Sequence, residues 1–397
     1  MKMSGGETKI RVGIVGTGFA AGNHLDALSR LRNVEVVAVA GRNEQRAHEF
    51  AGPAAIARAY GSYQDLLADD TIDAVHNCTP NHLHAEVSMA VLDAGKHLLS
   101  EKPLAVDSRQ SLALVDRADA ARASGIVAGV CFNYRHYPLV AELKEITETQ
   151  RFGAVHFIHG GYLQDWLLYQ TDWSWRVDSE LNGPSRAVAD IGSHWLDLVQ
   201  YIAGARIVSV FADLGSLHPV RRRTAMSSTF GSDGGDGDDV AVDTEDFATV
   251  AVRFDSGARG SVVLSQVSAG HKNCLFFTMN AGSASCSWNQ EDPNRLWIGH
   301  RDEANRELVR DPALLGERGA ALAHFPGGHE EGWPDALRNL FADFYRAVEA
   351  QRAGLSYEPS FATFEQGHQI VQLVEAITAS HESRGWVEVG RVEELAI

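Results

Sequence analysis

The chain has 397 residues, 45% hydrophobic and 22% charged, and its 35 Lys plus Arg face 52 Asp plus Glu for a net charge of −17. That length favours two or three domains with sizeable cores, and the acidic balance excludes nucleic acid and anionic membranes as natural partners. No apolar run reaches membrane-spanning length and residues 1–7 lack the apolar core of a signal peptide, so a cytoplasmic protein is expected.

Residues 9–131 alternate short β-branched runs with amphipathic segments. Strands are predicted at Ile10–Val15, Val34–Ala40, Ile72–Cys78, His97–Ser100 and Ile126–Phe132, and helices at Ala20–Leu31, Asn43–Phe50, Leu83–Ala94 and Ser108–Ser124. Such alternation implies a parallel sheet with helices on both faces. Beyond about residue 151 the texture changes: Phe152–Gln164, Ile207–Leu217, Thr244–Phe254, Ala258–Val267, Phe276–Asn280 and Ala284–Trp288 read as strands in series. A mostly antiparallel sheet in an α+β second domain follows, with helices at Val188–Ala203, Asp335–Ala350 and Ser360–Glu382. The domains are placed at 1–132 and 133–397, with the last helix expected to pack back on the first domain. Segment 221–240, three arginines followed by a Gly/Asp-rich run, reads as a mobile surface loop. Cys78 and Cys131, inside apolar runs, are expected to be buried reduced thiols.

Gly16-Thr17-Gly18-Phe19-Ala20-Ala21 follows a strand and opens a helix. Gly16 permits a tight turn, Gly18 lets backbone approach a pyrophosphate, and the small residue at 21 allows close helix–strand packing. This turn predicts a dinucleotide cofactor, with Phe19 and Ala20 at the helix N-terminus that meets its charge. At the end of the second strand, where NAD-selective sites place an acid, stand Gly41 and Arg42. Arg42 suits either a 2′-phosphate or adenine stacking, so NADP is expected to be accepted alongside NAD.

Thr79-Pro80-Asn81-His82-Leu83-His84 follows another strand end and faces the same cofactor. Asn81 serves as a helix cap, a cofactor contact or both. Cys78, His82 and His84 match no zinc spacing, and no metal is expected. In Glu101-Lys102-Pro103 the proline biases the lysine towards extended geometry, so its ammonium is aimed. Asp190 and His194, four apart at a helix start, share one face and suit a general acid/base unit. Tyr162-Leu163-Gln164-Asp165-Trp166 and Asp172-Trp173-Ser174-Trp175-Arg176 combine aromatic faces with polar groups, as a polyol site requires.

In this order, Gly16-x-Gly18, Thr79-Pro80-Asn81-x-x-His84, Glu101-Lys102-Pro103 and Asp190-x-x-x-His194 resemble the Gfo/Idh/MocA family of oxidoreductases. Tyr134-Arg135 with Gly161 to Trp166 looks most like its levoglucosan-dehydrogenase and glycoside-oxidising branch. The resemblance implies a Rossmann domain followed by an open, mainly antiparallel sheet that binds substrate and mediates homo-oligomers. It implies catalytic roles for Lys102, Asp190 and His194, and cofactor contacts from Thr79, Pro80, Asn81, His84, Glu101, Lys102, Trp175 and Arg176. Substrate contacts are implied for Lys102, Asp190 and His194 and for Asn133, Tyr134, Arg135, Gln164, Asp165 and His329. The chain departs from many members at Gly183-Pro184-Ser185-Arg186, where a glycine triplet is usual.

The resulting expectation is NAD(P)-dependent hydride transfer from a secondary hydroxyl of a sugar, sugar derivative or glycoside. Lys102 and His194 both remain open as the immediate base. Two alternatives stand beside it. One is a nicotinamide-dependent glycosidase working by transient oxidation, elimination and re-reduction, with Arg135, Arg176 and Arg186 suiting an anionic sugar. The other is a non-catalytic dinucleotide sensor.

Overall fold

The computed structural model describes residues 9–223, 226–228, 231–232 and 237–390. The chain divides into two compact units. The first takes the chain up to Ala105 with Arg109–Asn133 and Leu337–Gly367, and the second Val106–Ser108, Tyr134–Ala336 and the chain from His368 onward.

The first unit is built on strands β1 (Ile10–Val15), β2 (Val34–Ala40), β3 (Arg58–Tyr60), β4 (Ala74–Asn77), β5 (His97–Ser100) and β6 (Ala128–Val130). They pair in parallel in the order β3-β2-β1-β4-β5-β6. Ile10, Val12, Ile14 and Val15 are all buried, the near-continuous apolar run that a sheet covered on both faces demands. Helices α1 (Phe19–Ser29), α2 (Glu44–Ala51), α3 (Tyr63–Leu67), α4 (His84–Asp93) and α5 (Ser108–Arg122) accompany the strands. Strand order reverses between β1 and β4, so ligand-binding loops are expected at the carboxyl ends beside that point.

The segment that returns to this unit is 337–367, which includes the first turn of the last helix, Phe364–Ser383; the rest of that helix lies in the second unit. Leu337, Leu340, Phe341, Phe344, Tyr345 and Val348 of the helix Trp333–Arg352 are buried, and Ala362 bridges Val130 at the sheet edge. An amphipathic period shows that a helix has a core face but not which core it meets.

The second unit holds β7 (Val155–Leu163), β8 (Ile207–Gly215), β9 (Val220–Arg223), β10 (Met226–Ser228), β11 (Gly231–Ser232), β12 (Asp238–Ala241), β13 (Phe247–Phe254), β14 (Arg259–Ser265), β15 (Cys274–Ala281), β16 (Ser285–Asn289), β17 (Arg295–Gly299), β18 (Arg306–Val309) and β19 (Val387–Glu388). Nine of them form one open sheet, β18-β17-β16-β15-β7-β14-β13-β8-β19, antiparallel except where β14 meets β7. On central β7, a Cβ at Gly160 would fall 2.1 Å from the Phe276 carbonyl and 2.9 Å from Trp195 Nε1. Glycine is therefore required for the helix Ser193–Ala203 to lay Trp195 on the sheet.

The mobile loop expected at 221–240 is corrected in its described parts. β9 and β12 pair in antiparallel register, and Arg221 is fully buried, its guanidinium 2.7 Å from Asp246. An arginine count cannot reveal that one member has a buried carboxylate waiting for it; residues 224–225, 229–230 and 233–236 of that call lie outside the described residues.

Candidate active site

In the first unit, the loops after β1, β2, β4 and β5 carry the predicted residues. Gly16 has φ of +122°, and a Cβ there would meet the Cys78 carbonyl at 2.4 Å. Gly18 stands at the α1 cap, and a Cβ there would meet nothing within 4 Å. Helix α1 has neither a side-chain cap nor an acid in its first turn, and Phe19 beside it is 49% exposed. A helix start without an acid beside the glycine turn fits a dinucleotide pyrophosphate.

Gly41 has a different reason: its Cβ would press the Ala47 amide at 2.9 Å, so it serves packing of α2. Asn43 caps that helix through the Arg46 amide at 2.9 Å, and Arg42 beside it is exposed. No carboxylate occupies 41–43 to hold a ribose 2′-hydroxyl. Arg42→Ala should lower kcat/KM for NADP about tenfold while changing that for NAD less than about twofold; equal losses with both cofactors in steady-state kinetics would remove the arginine from cofactor choice.

After β4, Asn77 organises the loop, although no sequence motif singled it out. Its Oδ1 accepts the Thr79 hydroxyl at 2.7 Å, and its Nδ2 donates to the His84 carbonyl at 3.1 Å and to Ser88 at 3.0 Å. Pro80 is exposed and Asn81 buried in a short turn, but Leu83, not Asn81, occupies the α4 cap position. His84 was expected at the cofactor. It is buried instead, with Nδ1 2.6 Å from the Pro103 carbonyl and Nε2 2.8 Å from that of Thr79. Both ring nitrogens are engaged, so His84 ties the β4 and β5 loops together; burial lowers its pKa against the pull of the two carbonyls.

Glu101 accepts the Lys102 amide at 3.1 Å through Oε2 and lies 2.9 Å from His24 Nε2 through Oε1. Burial opposes its ionisation, but His24 and Lys102 prevail and hold its pKa down to about 2. His24, Glu101 and Cys131 offer ligand atoms within 4.8 Å of one another. Burial pushes the Cys131 thiol well above its ordinary range, and within the cluster His24 Nε2 meets Glu101 Oε1 at 2.9 Å.

In the second unit the expected α-helix begins as a π-helical turn, Val188–Gly192, and continues as Ser193–Ala203. Such widened turns concentrate at functional sites, and this one carries Asp190 directly ahead of His194. Buried Gln266 donates to Asp190 Oδ2 at 3.0 Å, a positioning partner that sequence reading missed. Arg176 lies 3.8 Å from Asp190 Oδ1 and stacks on Trp175 at 4.7 Å. The His194 ring meets Tyr134 edge-on, centroids 4.9 Å apart.

Behind it, Tyr134 OH lies 2.8 Å from Tyr162 OH, Tyr162 donates to Asn273 Oδ1, and Asn273 Nδ2 donates to Tyr134 at 3.1 Å. Gln164 joins through Asn273 at 3.1 Å and accepts from Trp166 at 2.9 Å. Asp165 pairs with Lys272 at 2.8 Å and caps Gly270 at 3.0 Å, which orders the neighbouring turn.

Three predicted contacts are corrected. Arg135, expected at the substrate, is buried in a two-point pair with Asp197, and burial raises the Asp197 pKa against the arginine's pull. Arg186 is likewise buried against Asp246. His329 is exposed, and its carbonyl is held by buried Arg310. Asn133 is buried in the turn before Tyr134.

Comparison with known proteins decides the frame. Residues 10–128 match the oxidoreductase family with NAD-binding Rossmann fold, and 140–285 match the GFO/IDH/MocA C-terminal domain. Levoglucosan dehydrogenase of Pseudarthrobacter phenanthrenivorans is 30% identical over 96% of this chain and 99% of its own. The chain belongs to the GFO/IDH/MocA oxidoreductase family. Among solved structures, levoglucosan dehydrogenase in complex with NADH and levoglucosan superposes with a TM-score of 0.85 at 28% identity, covering 97% of this chain and 100% of that one. An inositol dehydrogenase homologue from Azotobacter vinelandii with NAD+ gives 0.81 at 26% identity, covering 96% and 97%. The family's NAD-binding part, residues 10–128, falls almost wholly in the first unit, which carries the Gly16–Gly18 turn. No helix among the described residues is long and apolar enough to cross a membrane.

Proposed function

We propose that this oxidoreductase oxidises a secondary hydroxyl of a neutral sugar, sugar derivative or glycoside. The reading is carried by Asp190 on the π-helical turn and His194 on the α-helix that continues it, set beside a closed ring of hydrogen bonds among Tyr134, Tyr162 and Asn273. Aromatic faces stack on C–H surfaces of a sugar, and fixed hydroxyl and amide groups select its hydroxyls. A bound nicotinamide supplies the hydride acceptor. His194, oriented by Asp190, and Lys102 share the work of holding and removing the hydroxyl proton. Gln266 and Arg176 keep Asp190 turned to that task. A neutral substrate is favoured because Arg135 and Arg186 have buried carboxylate partners and Arg176 is set against Asp190. The levoglucosan and L-sorbose bound by levoglucosan dehydrogenase support the same class. A panel of neutral and acidic sugars with NAD and NADP tests the proposal: reduced nicotinamide should form with neutral members, and a response confined to acidic sugars would overturn it.

Self-association through the open sheet belongs to the same reading. Strand register sets Phe157, Phe211, Phe247, Val263 and Trp297 on one face, each more than a third exposed. Sedimentation should show an oligomer, and a monomer at micromolar concentration would contradict it.

A further inference from the structure

The first unit contains a row of buried polar side chains that hydride transfer does not use. His24 on α1, His76 in β4 and Tyr345 on the helix Trp333–Arg352 are each 0% exposed. The Tyr345 hydroxyl lies 2.7 Å from His76 Nε2, His76 Nδ1 lies 2.8 Å from His24 Nδ1, and His24 Nε2 lies 2.9 Å from Glu101 Oε1. Glu101 then accepts the Lys102 amide through its other oxygen at 3.1 Å. Phe341 meets both imidazoles at 4.7 Å, and Tyr345 stacks on His76 at 5.9 Å, so the rings are held in place.

An ionised carboxylate fixes the direction of the bond at the Glu101 end of this row, and the tautomers of the two imidazoles set the rest. An ionised Glu101 only accepts, so His24 Nε2 carries a hydrogen. In the arrangement proposed below, His24 carries no second hydrogen, so its bare Nδ1 takes the hydrogen on His76 Nδ1. His76, also neutral, has a bare Nε2 that takes the Tyr345 hydroxyl hydrogen. Burial holds His76 well below its ordinary pKa and Tyr345 well above its own, and Glu101 stays ionised at neutral pH. All donors point toward Glu101, and each link polarises the next.

We propose that Tyr345, His76 and His24 form a one-directional hydrogen-bond wire that orients Glu101 and, through it, the backbone from which Lys102 departs. His76 and Tyr345 are then positioning residues for the reaction, one of them 269 residues along the chain from the other. This role rests on Lys102 acting on the substrate oxygen as proposed above.

Nitrogen-15 NMR of the imidazoles in the intact enzyme reads the wire directly, with His24→Gln and His76→Gln assigning the signals. His24 should be protonated on Nε2 alone and His76 on Nδ1 alone at neutral pH. A doubly protonated ring, or His76 protonated on Nε2, overturns the proposal. The spectrum needs no substrate, so its outcome is separate from that of the dehydrogenase reading. Kinetics then tests the action on Lys102. Tyr345→Phe removes only the hydroxyl and should lower kcat about three- to tenfold, with both KM values moving less than about twofold. In a Glu101→Gln background the same change should alter kcat by less than about twofold, since the link it acts through is gone. Fully multiplicative losses in the double variant, or unchanged kcat in the single one, overturn the positioning role. Should Tyr345→Phe not fold, the wild-type tautomers still decide whether the wire exists.

Discussion

Lys102→Ala should lower kcat about a hundred- to a thousandfold while nicotinamide dinucleotide affinity changes less than about threefold. The split follows from where the residue sits. Lys102 leaves the end of β5, its amide fixed by Glu101 and the next residue's carbonyl held by His84. The dinucleotide grip proposed for this chain lies elsewhere, at the Gly16–Gly18 turn and the start of α1. Removing the ammonium therefore removes a donor to the reacting oxygen and leaves the pyrophosphate site intact. Single-turnover rates and cofactor titration of the same preparation separate the two quantities. Near-normal turnover, or loss of cofactor binding in step with kcat, would take Lys102 out of the chemistry.

His194→Gln should lower kcat about a hundred- to ten-thousandfold, with the substrate KM changing far less. Glutamine keeps a polar group near the edge of Tyr134 but cannot take up a proton, so the variant tests proton transfer rather than packing. The rising limb of the kcat–pH profile should flatten if His194 is the immediate base and persist if Lys102 holds that role. A folded variant with wild-type turnover would assign His194 to structure alone.

The parts of this site legible in sequence were those whose reason is local. The Gly16–Gly18 turn follows a strand and opens a helix within a few residues, and the proline after Lys102 and the four-residue spacing of Asp190 and His194 are likewise short-range. Strand and helix alternation gave the first sheet for the same reason, since each buried run is continuous. Residues whose reason lies far along the chain were misjudged. Arg135 and Arg186 looked available to an anionic substrate, but their carboxylates stand 62 and 60 residues away. Gln266, Asn273, His24 and His76 belong to no motif, and only the fold brings them to Asp190, Tyr134 and Glu101. The helix Pro138–Glu148 and the strands β17 and β18 also escaped notice. The helix lies between two recognisable motifs, and β17 (Arg-Leu-Trp-Ile-Gly) and the edge strand β18 (Arg-Glu-Leu-Val) are too short to show a period-2 pattern.

The ratio of reduced nicotinamide formed to sugar consumed tests the central claim most directly. With a neutral sugar or glycoside and excess NAD or NADP, the wild-type enzyme should form one reduced nicotinamide for each hydroxyl oxidised to a carbonyl. Release of an aglycone without net nicotinamide reduction, or tight cofactor binding with no turnover across the panel, would contradict it.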